Sequence, residues 1–372
     1  LPIFNSGITS RYLNSQNERR IYIASLQNSN LTWEKVYETN FGIDIGFLNN
    51  AISLSADLYQ KKSKDLIDIV RTSGIGGEFY KYANDASMTT KGIELVLDTR
   101  NINTEDFSWN SSVNFAYFNQ EITALANPLS NVFELVRETG GNVIGGARNT
   151  LYSYDFTGLN DKGLPQFRLK DGSTEYYYIN FQDRDNILSY LKKEGAVEPN
   201  ITGGLSNTFR YKNWELSFLI TMQAGNKIRK AAHYSGSSYS DLNVFPKEFK
   251  NRWVNPGDEA TTRIPAIVSL RTLNENDKSL ITMAYSAYNN STERVVDGSF
   301  VRMKSISLSY TFPKDVLDVL GVGNLSLRLQ STNPFLIYAH KDLNGQDPEF
   351  FRSGGVSYPI TPQYTFTINL GI

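Results

Sequence analysis

The sequence predicts an all-β fold, an antiparallel transmembrane β-barrel. Three observations support this fold class: long segments alternate apolar and polar residues, short and long connectors alternate along the chain, and no stretch of the 372 residues approaches the roughly 20 apolar residues that a membrane helix needs. Lipid cannot hydrogen-bond the backbone, so strands that cross a bilayer must pair within a closed sheet. Any membrane spanning by this chain must therefore use strands.

The period-two alternation identifies the individual strands. Between residues 41 and 47 every odd position is apolar, and between 52 and 58 every even position is, with the turn pair Asn49-Asn50 between them. Similar alternation recurs in 93–97, 107–117, 205–222, 306–312, 325–329 and 364–372. We expect nine strands after residue 31, and we expect one more before it.

The connectors between these strands differ in length in a regular way. Short connectors lie near 49–50, 101–106, 212–213 and 313–323, and long ones near 63–90, 121–200, 226–298 and 336–360. A soluble sandwich has turn signals every 8–12 residues or so without such parity. Short turns at one end of the strands and long loops at the other are typical of an outer-membrane barrel.

Aromatic residues near the ends of the apolar stripes indicate interfacial girdles. Strands favour aromatic residues in any setting, so this signal supports the barrel only together with the connectors. The residues concerned are Trp109, Tyr211, Trp214, Tyr310, Phe312, Tyr364 and Phe366.

The composition excludes several classes of function. The chain has 37 Lys+Arg, 38 Asp+Glu and a net charge of −1, which gives no field for attracting nucleic acid. It contains no cysteine and only two histidines, His233 and His340, which excludes disulfide frameworks, zinc fingers and multi-histidine metal centres. The chain begins at Leu1 without a methionine or a signal segment, so we interpret it as a processed or partial product.

A search for catalytic residues predicts none. His233 and His340 lack a nucleophile elbow nearby, and we expect both to lie exposed in loops. The glycine runs 74–77 and 140–146 lack the setting of a phosphate loop. The carboxylate pair Asp183 and Asp185 fits loop solvation better than glycoside hydrolysis. We therefore expect no enzyme activity, no cofactor and no metal site.

Two sets of residues are candidates for ligand contact. Aromatic side chains in the long loop stack well on sugars or peptides, although packing within the loop is the alternative. Charged side chains on the polar strand faces would face the lumen, where they tune the pore or anchor a plug. The loop aromatics are Tyr152, Tyr154, Tyr176, Tyr177 and Tyr178, and the lumen-facing residues are Asp57, Glu94, Arg210, Glu215 and Arg328.

Several sequence blocks, in this order, resemble the C-terminal half of the SusC/RagA-type TonB-linked outer-membrane proteins of Bacteroidetes. The blocks are 31–35 (LTWEK), 40–44 (NFGID), 59–66 (YQKKSKDL), 90–95 (TKGIEL), 202–212 (TGGLSNTFRYK), 252–253 with 255–258 (RW and NPGD), and 296–304 (VDGSFVRMK). The resemblance runs from about residue 31 to the end of the chain. In place of the run typical of a calcium loop in this family, residues 176–185 read YYYINFQDRD, so no calcium site is expected there.

The resemblance implies a TonB-dependent transporter barrel of roughly 22 strands, with a lumen closed by a plug. Residues 1–30 would form an extracellular loop or a partial strand, and 31–372 the C-terminal part of the barrel. The plug and the N-terminal half of the barrel would be supplied by further polypeptide, because a half barrel leaves two unpaired edges in lipid.

The resemblance also implies the function and the partners. The protein would import oligosaccharides or peptides across the outer membrane, powered by the TonB system and covered by a SusD-like surface lipoprotein. Long loops would be extracellular and the C-terminus periplasmic. Two alternatives remain at this stage: a secreted all-β module that binds glycans, and an outer-membrane docking scaffold that does not transport.

Overall fold

A computed structural model describes residues 3–10, 17–25, 28–74, 80–126, 132–169, 171–175, 187–236, 239, 245–275, 278–349 and 361–372. Strands dominate this part of the chain. In chain order they are β1 (Ile3–Ser10), β2 (Asn17–Ser25), β3 (Lys35–Phe47), β4 (Ile52–Arg71), β5 (Tyr80–Asn103), β6 (Phe107–Leu125), β7 (Thr150–Tyr154), β8 (Phe156–Leu159), β9 (Pro165–Arg168), β10 (Thr174–Glu175), β11 (Leu191–Ala196), β12 (Ile201–Tyr211), β13 (Trp214–Ala224), β14 (Lys227–Arg229), β15 (Val295–Asp297), β16 (Phe300–Thr311), β17 (Asn324–Ala339) and β18 (Gln363–Gly371).

Helices are few and lie in the connectors. The α-helices are α1 (Val132–Leu135), α2 (Leu270–Glu275), α3 (Lys278–Asn289) and α4 (Lys314–Leu320). Short 3-10 turns occupy Ile187–Tyr190, Lys247–Asn251, Asp258–Ala260, Thr292–Arg294 and Lys341–Leu343. Among the described residues, no helix is long and apolar enough to cross a membrane.

The nine strands expected after residue 31 form one sheet, which confirms the predicted all-β, antiparallel fold. Their order is β18-β17-β16-β13-β12-β6-β5-β4-β3, so chain neighbours are sheet neighbours throughout, and every pairing is antiparallel. This up-and-down order is the connectivity of a meandering barrel wall. Within the described residues the sheet stays open, with β3 and β18 at its edges.

The short connectors fold as the turn residues predict. Leu48, Asn49 and Asn50 take left-handed backbone conformations with φ of 51°, 54° and 59°, which asparagine tolerates well. The Lys212-Asn213 corner joins β12 to β13 with Tyr211 directly opposite Trp214. The connector at 313–323 contains α4, which follows Pro313 and ends at Gly321 in the left-handed conformation.

The connector expected at 63–90 is mostly strand, so that expectation was wrong. β4 continues to Arg71 and β5 begins at Tyr80, which leaves only residues 72–79 between them. The register shifts near Asp65, whose φ is 57°, and this bulge breaks the alternation that marks a strand in the sequence. Strands of 20 and 24 residues are about twice as long as the 9–11 residues or so that a membrane-crossing strand needs.

The first thirty residues form a separate pairing. The structure places β1 antiparallel to β2, from Ser10 opposite Asn17 to Ile3 opposite Ser25. A loop or a partial strand was expected over residues 1–30, with one further strand before residue 31, and the structure has two strands there.

The register divides the sheet into two faces of opposite chemistry. On the face that we call the apolar face, Phe41, Leu58, Ile93 and Tyr117 form one cross-strand row. The parallel row on the other face, the polar face, contains Gly42, Asp57, Glu94 and Ala116. Since side chains alternate along each strand, every strand contributes to both faces.

A tyrosine and a glycine interlock on the polar face. Tyr59 lies opposite Gly92, and a Cβ atom built on Gly92 would come within 2.4 Å of the Tyr59 ring. The glycine lets the aromatic ring lie directly on the neighbouring backbone. Two of the family-like blocks in the sequence, 59–66 and 90–95, therefore meet at this contact.

The long loops contain the buried core of this chain. Seventeen buried apolar residues, drawn from the 126–200 and 225–299 connectors, form one cluster around α3, with Ile281 and Tyr285 fully buried. Aromatic rings dominate it: Phe156 contacts Tyr288 at a centroid distance of 5.2 Å, and Tyr234 contacts Tyr288 at 5.0 Å. The two longest connectors thus fold together into a single compact unit, which we call the loop core.

Candidate functional site: the polar face and the loop core

The five charged residues predicted to face the lumen all lie on the polar face. Asp57 stands directly opposite Glu94, and Arg210 stands directly opposite Glu215. Arg328 is opposite Ser309, which is itself the cross-strand partner of Glu215. The register therefore brings all five to one side of the sheet.

These charges are arranged in two different ways. The guanidinium Nε of Arg210 lies 2.6 Å from the carboxylate of Glu215, an ion pair next to the short turn at 212–213. Asp57 and Glu94 are instead two carboxylates side by side, a cross-strand arrangement that repels. Asp57 accepts a hydrogen bond from the side-chain amide of Asn40 at 3.2 Å, which partly offsets this repulsion.

The apolar face carries large hydrophobic side chains that remain exposed in this chain. Phe41 is 67% exposed, Leu308 is 42% exposed and Phe366 is 62% exposed. Leu54 and Phe218 on the same face are half-buried, and neither belongs to a buried cluster. No second sheet or helix layer among the described residues covers this face, which matches the prediction that it contacts lipid.

Three polar side chains on the apolar face, from Trp109, Ser111 and Asn207, pair with one another. Asn207 lies directly opposite Ser111 and diagonal to Trp109 in the register. Its Oδ1 accepts hydrogen bonds from the Trp109 indole at 2.8 Å and the Ser111 hydroxyl at 2.6 Å. Trp109 also stacks on Phe209 at 5.5 Å. An amide in a lipid environment needs such partners, because hydrocarbon offers none.

Aromatic residues cluster on the apolar face near the short turns, where a girdle was expected. Trp214 and Tyr310 contact each other at 4.7 Å, and Tyr310 contacts Phe312 at 5.1 Å. Tyr364, 75% exposed at the start of β18, lies away from the short turns, on the side of the sheet next to the long loops. The positions fit an interfacial belt, which remains a prediction about the membrane boundary.

Ion pairs hold the loop core together. Arg294 is buried and pairs with Glu248, which also accepts a hydrogen bond from the Lys230 ammonium at 3.1 Å. Burial by itself would raise the pKa of Glu248, but the charges of Arg294 and Lys230 outweigh it and hold the pKa below its usual value. This carboxylate therefore stays ionised inside the loops.

A second buried arginine connects the two long loops. Arg229 donates hydrogen bonds to the Tyr152 carbonyl at 2.7 Å and to the Ser153 hydroxyl at 3.2 Å. Burial lowers the pKa of Arg229 to about 10, so the guanidinium remains charged at neutral pH. The same burial raises the pKa of Glu194, a nearby carboxyl whose charge Arg229 partly supports.

A buried pair on the polar face anchors the loop after β17. Arg302 of β16 pairs with Asp347, and both side chains are 3% exposed. Glu349 lies 3.0 Å from the Arg302 Nε and 3.3 Å from the Lys304 ammonium. Arg302 and Lys304 were not among the residues predicted from the sequence, although both belong to the family-like block 296–304.

The loop tyrosines have different positions in the structure. Tyr152 and Tyr154 lie in β7 and are buried, and Tyr154 packs edge-on against Phe167 at 6.1 Å. Tyr176, Tyr177 and Tyr178 lie outside the described residues. Burial of the first two fits the alternative of packing within the loop, and ligand contact by the tyrosines stays a prediction.

A cavity of about 220 Å³ opens where the loops meet the sheet. Phe118 and Gln120 at the loop end of β6 form one wall, and Lys193 of β11, Glu198 and Asn200 supply charged and polar groups at the other. Mixed apolar and hydrogen-bonding walls of this kind suit a polar ligand. Sequence reasoning missed this cavity because its walls lie about 75 residues apart in the chain.

The described residues contain no group of three or more metal-ligating side chains. His233 and His340 are half-buried in loops, where fuller exposure was expected. Burial and the nearby Arg294 lower the pKa of His233, and His340 accepts a hydrogen bond from the Asp342 amide at 3.3 Å. Both histidines thus pack or hydrogen-bond within their own loops, with no arrangement that resembles a catalytic base among the described residues.

A family model described as "TonB dependent receptor-like, beta-barrel" matches residues 3–218. The chain belongs to the TonB-dependent receptor β-barrel family. This confirms the resemblance drawn from the sequence blocks, and the family is one of outer-membrane receptors and transporters rather than enzymes.

Relatives within the TonB-dependent receptors cover nearly the whole chain. TonB-dependent receptor P39 of Formosa agariphila is 27% identical over 90% of this chain, and TonB-dependent receptor SusC of Bacteroides thetaiotaomicron is 26% identical over 93%. The chain spans about a third of the length of these relatives, 34% and 32% respectively.

Solved structures agree on the fold of this TonB-dependent receptor barrel. The structure titled "Structure of the RagAB peptide transporter" superposes with a TM-score of 0.77 and 24% identity, covering all of this chain and 38% of that one. At this identity the likeness supports the fold alone. It places the open nine-stranded sheet as part of a larger barrel.

Proposed function

We propose that this chain is the C-terminal part of the barrel of an outer-membrane importer that takes up oligosaccharides or peptides. The observation that carries the proposal is the two-faced sheet: its apolar face stays exposed, while its polar face carries paired charges and anchors a loop through Arg302. Such a sheet suits a wall between lipid and a wet interior. The polar face then lines the route of the substrate.

The open edges β3 and β18 require further polypeptide in this proposal. Unpaired backbone groups at a sheet edge are untenable in hydrocarbon, so the edges pair with the remaining strands of a barrel of roughly 22. Charges on the polar face, such as Asp57 and Glu94, contact a plug domain that the TonB system moves. The energy for opening comes from that system rather than from this chain.

The loop core is the proposed contact for a SusD-like surface lipoprotein. Its two long connectors fold into one unit with its own buried cluster. Because the cluster holds them together, they form one ordered surface for a partner rather than two independent loops. The relative named SusC is a TonB-dependent receptor, and the matched structure is titled as a peptide transporter, which favours an importer. The long loops are extracellular and the short turns periplasmic in this arrangement.

Cysteine labelling tests the orientation, because the 372 residues contain no cysteine. Asn255→Cys lies in the long 225–299 connector and Asn49→Cys lies in a short turn, and both side chains are exposed. In the full-length protein, we expect a membrane-impermeant maleimide to label Asn255→Cys on intact cells and Asn49→Cys only after the outer membrane is permeabilised. Labelling of both positions on intact cells would contradict the proposed topology.

Uptake measurements test transport itself. A strain lacking the full-length gene is supplied with fluorescent oligosaccharides and peptides, then complemented with the wild type or with Arg302→Met, which removes the charge that anchors the 340–349 loop. We expect the deletion to abolish uptake of one ligand class and the wild type to restore it. Normal uptake in the deletion strain, with the lipoprotein still at the surface, would favour the docking scaffold.

A further inference from the structure

A group of lysines lies on the apolar face, spread over the three cross-strand rows that follow its last hydrophobic row toward the long loops. Phe41, Leu58 and Ile93 form the last hydrophobic row of β3–β5 toward the loops. The next row on the same face is Thr39, Gln60 and Lys91, followed by Tyr37, Lys62 and Thr89, and then by Lys35 and Lys64. The chemistry of this face therefore changes within one row from hydrophobic to basic.

The spacing of these rows matches the thickness of a headgroup layer. Two residues along a strand rise about 6.8 Å, which corresponds to roughly 5 Å of height for a strand tilted by about 40°. The polar layers of a bilayer add about 5–8 Å on each side of the hydrocarbon. Lys91 and Lys62 thus lie about 5 and 10 Å above Phe41 and its neighbours, within and at the edge of that layer.

Two of these lysines, Lys62 and Lys64, line a surface depression of about 330 Å³ together with Tyr37, Thr39 and Gln60. The Lys64 ammonium lies 5.7 Å from the centre of the Tyr37 ring. The hydroxyl and amide groups add hydrogen-bond donors beside the two ammonium groups. Such a set suits a phosphate oxygen better than a neutral group.

The charge of this patch is largely uncompensated. Lys35 pairs with Asp65 at 2.7 Å, whereas no carboxylate among the described residues lies within ion-pair distance of Lys62, Lys64 or Lys91. Glu121 is two strands away from Lys62 in the register, beyond Thr89. It is a diagonal neighbour of Lys91 on the next strand and forms no ion pair with it. A patch on the outside of the sheet cannot be neutralised by a plug inside it.

We propose that the patch formed by Lys62, Lys64 and Lys91, with Tyr37 and Gln60, binds the phosphate groups of lipids in the leaflet next to the long loops. The proposal rests on the proposed placement of the apolar face in a bilayer. Its function is to fix the height and tilt of the β3–β5 wall, where strands of 20 and 24 residues leave the membrane.

Lipid binding by the full-length protein tests this proposal. The wild type, K62Q/K64Q/K91Q and the control K247Q/K250Q/K278Q are placed in nanodiscs of phosphatidylcholine with one-fifth phosphatidylglycerol. The control removes three charges from exposed loop lysines. Native mass spectrometry then counts each retained lipid. We expect the wild type and the control to retain phosphatidylglycerol, and the patch variant to bind it about 10- to 100-fold more weakly.

The outcomes separate this inference from the proposed function. Equal retention of phosphatidylglycerol by the wild type and the patch variant would overturn the headgroup site, as would full displacement of the lipid by inorganic phosphate at millimolar concentration. Failure of the wild type to enter nanodiscs at all would instead contradict the membrane placement of the apolar face. Retention lost only in the patch variant would support the site.

Discussion

The nine-stranded sheet and the loop core place the same kinds of side chain in opposite surroundings. Phe41 and Phe366 of the sheet are mostly exposed, whereas Tyr285 and Ile281 of the loop core are fully buried. The loop core buries its own aromatic residues and pairs its own charges. The sheet forms its backbone hydrogen bonds between paired strands. Its apolar face stays uncovered by protein and needs a nonpolar environment such as lipid.

This difference shows which part of the molecule depends on the membrane. Burial of apolar surface stabilises the loop core in water, as in an ordinary soluble domain. The sheet gains nothing from water on its apolar face and needs lipid there. Changes that damage one region should therefore leave the other largely intact, which can be tested in four ways.

The largest effect is expected from Glu248→Ala. The substitution leaves the buried guanidinium of Arg294 without its carboxylate and should destabilise the loop core by about 3–5 kcal/mol. Hydrogen exchange on the full-length protein in detergent should become faster in 226–236 and 278–297 while strands β12 and β13 stay protected. Faster exchange in those strands would show that the two regions fold as one unit.

Leu205→Arg is expected to destabilise the sheet instead of the loop core. Leu205 lies on the apolar face between Val113 and Ile220, while its neighbour Ser206 lies on the polar face between Ser112 and Leu219. An arginine in the middle of the lipid-facing surface should cost about 2–4 kcal/mol. Urea titrations of refolding into vesicles measure this loss, and Ser206→Arg is the matched control. A similar cost for both substitutions would contradict the assignment of the faces.

Gly92→Ala tests the contact with Tyr59. The added methyl group would overlap the tyrosine ring, which must then move, and we expect a loss of about 1–3 kcal/mol. Combining it with Tyr59→Ala should restore much of the stability lost through the glycine substitution, because the double variant has space for the methyl group. Strictly additive effects of the two substitutions in the same urea titration would exclude steric overlap as the cause.

A smaller effect is expected from acid. The pKa of Glu248 is lower in the folded loop core than the ordinary value of 4.5, so the unfolded loops bind a proton first as the pH falls. The stability that Glu248 contributes is complete above pH 4.5 and is lost as the pH falls through the lower, folded value. Hydrogen exchange of 278–297 at pH 7 and pH 4 should differ more in the wild type than in Glu248→Gln. An equal change of hydrogen exchange with pH in the wild type and in Glu248→Gln would show that Glu248 is not the cause of the acid sensitivity.

The faces of the sheet could be predicted from the sequence because strand geometry is local. Side chains alternate with a period of two, so the positions of Asp57, Glu94, Arg210, Glu215 and Arg328 within their alternating segments predicted one shared face, and the register agrees. The turn at Asn49-Asn50 could also be predicted from the sequence, because asparagine tolerates the left-handed backbone conformation found there.

Only the tertiary structure decided the rest. The sequence alternation of β4 ends at the bulge near Asp65, yet the strand continues to Arg71 because β5 still pairs with it. Arg302 and Asp347 meet across 45 residues, and Tyr152 is buried by residues from another loop, contacts that no local period encodes. The sequence by itself determined which side of each strand is apolar, because side-chain alternation depends only on residues two positions apart. The folding of the loops was decided by the tertiary structure, because it depends on contacts between residues far apart in the chain.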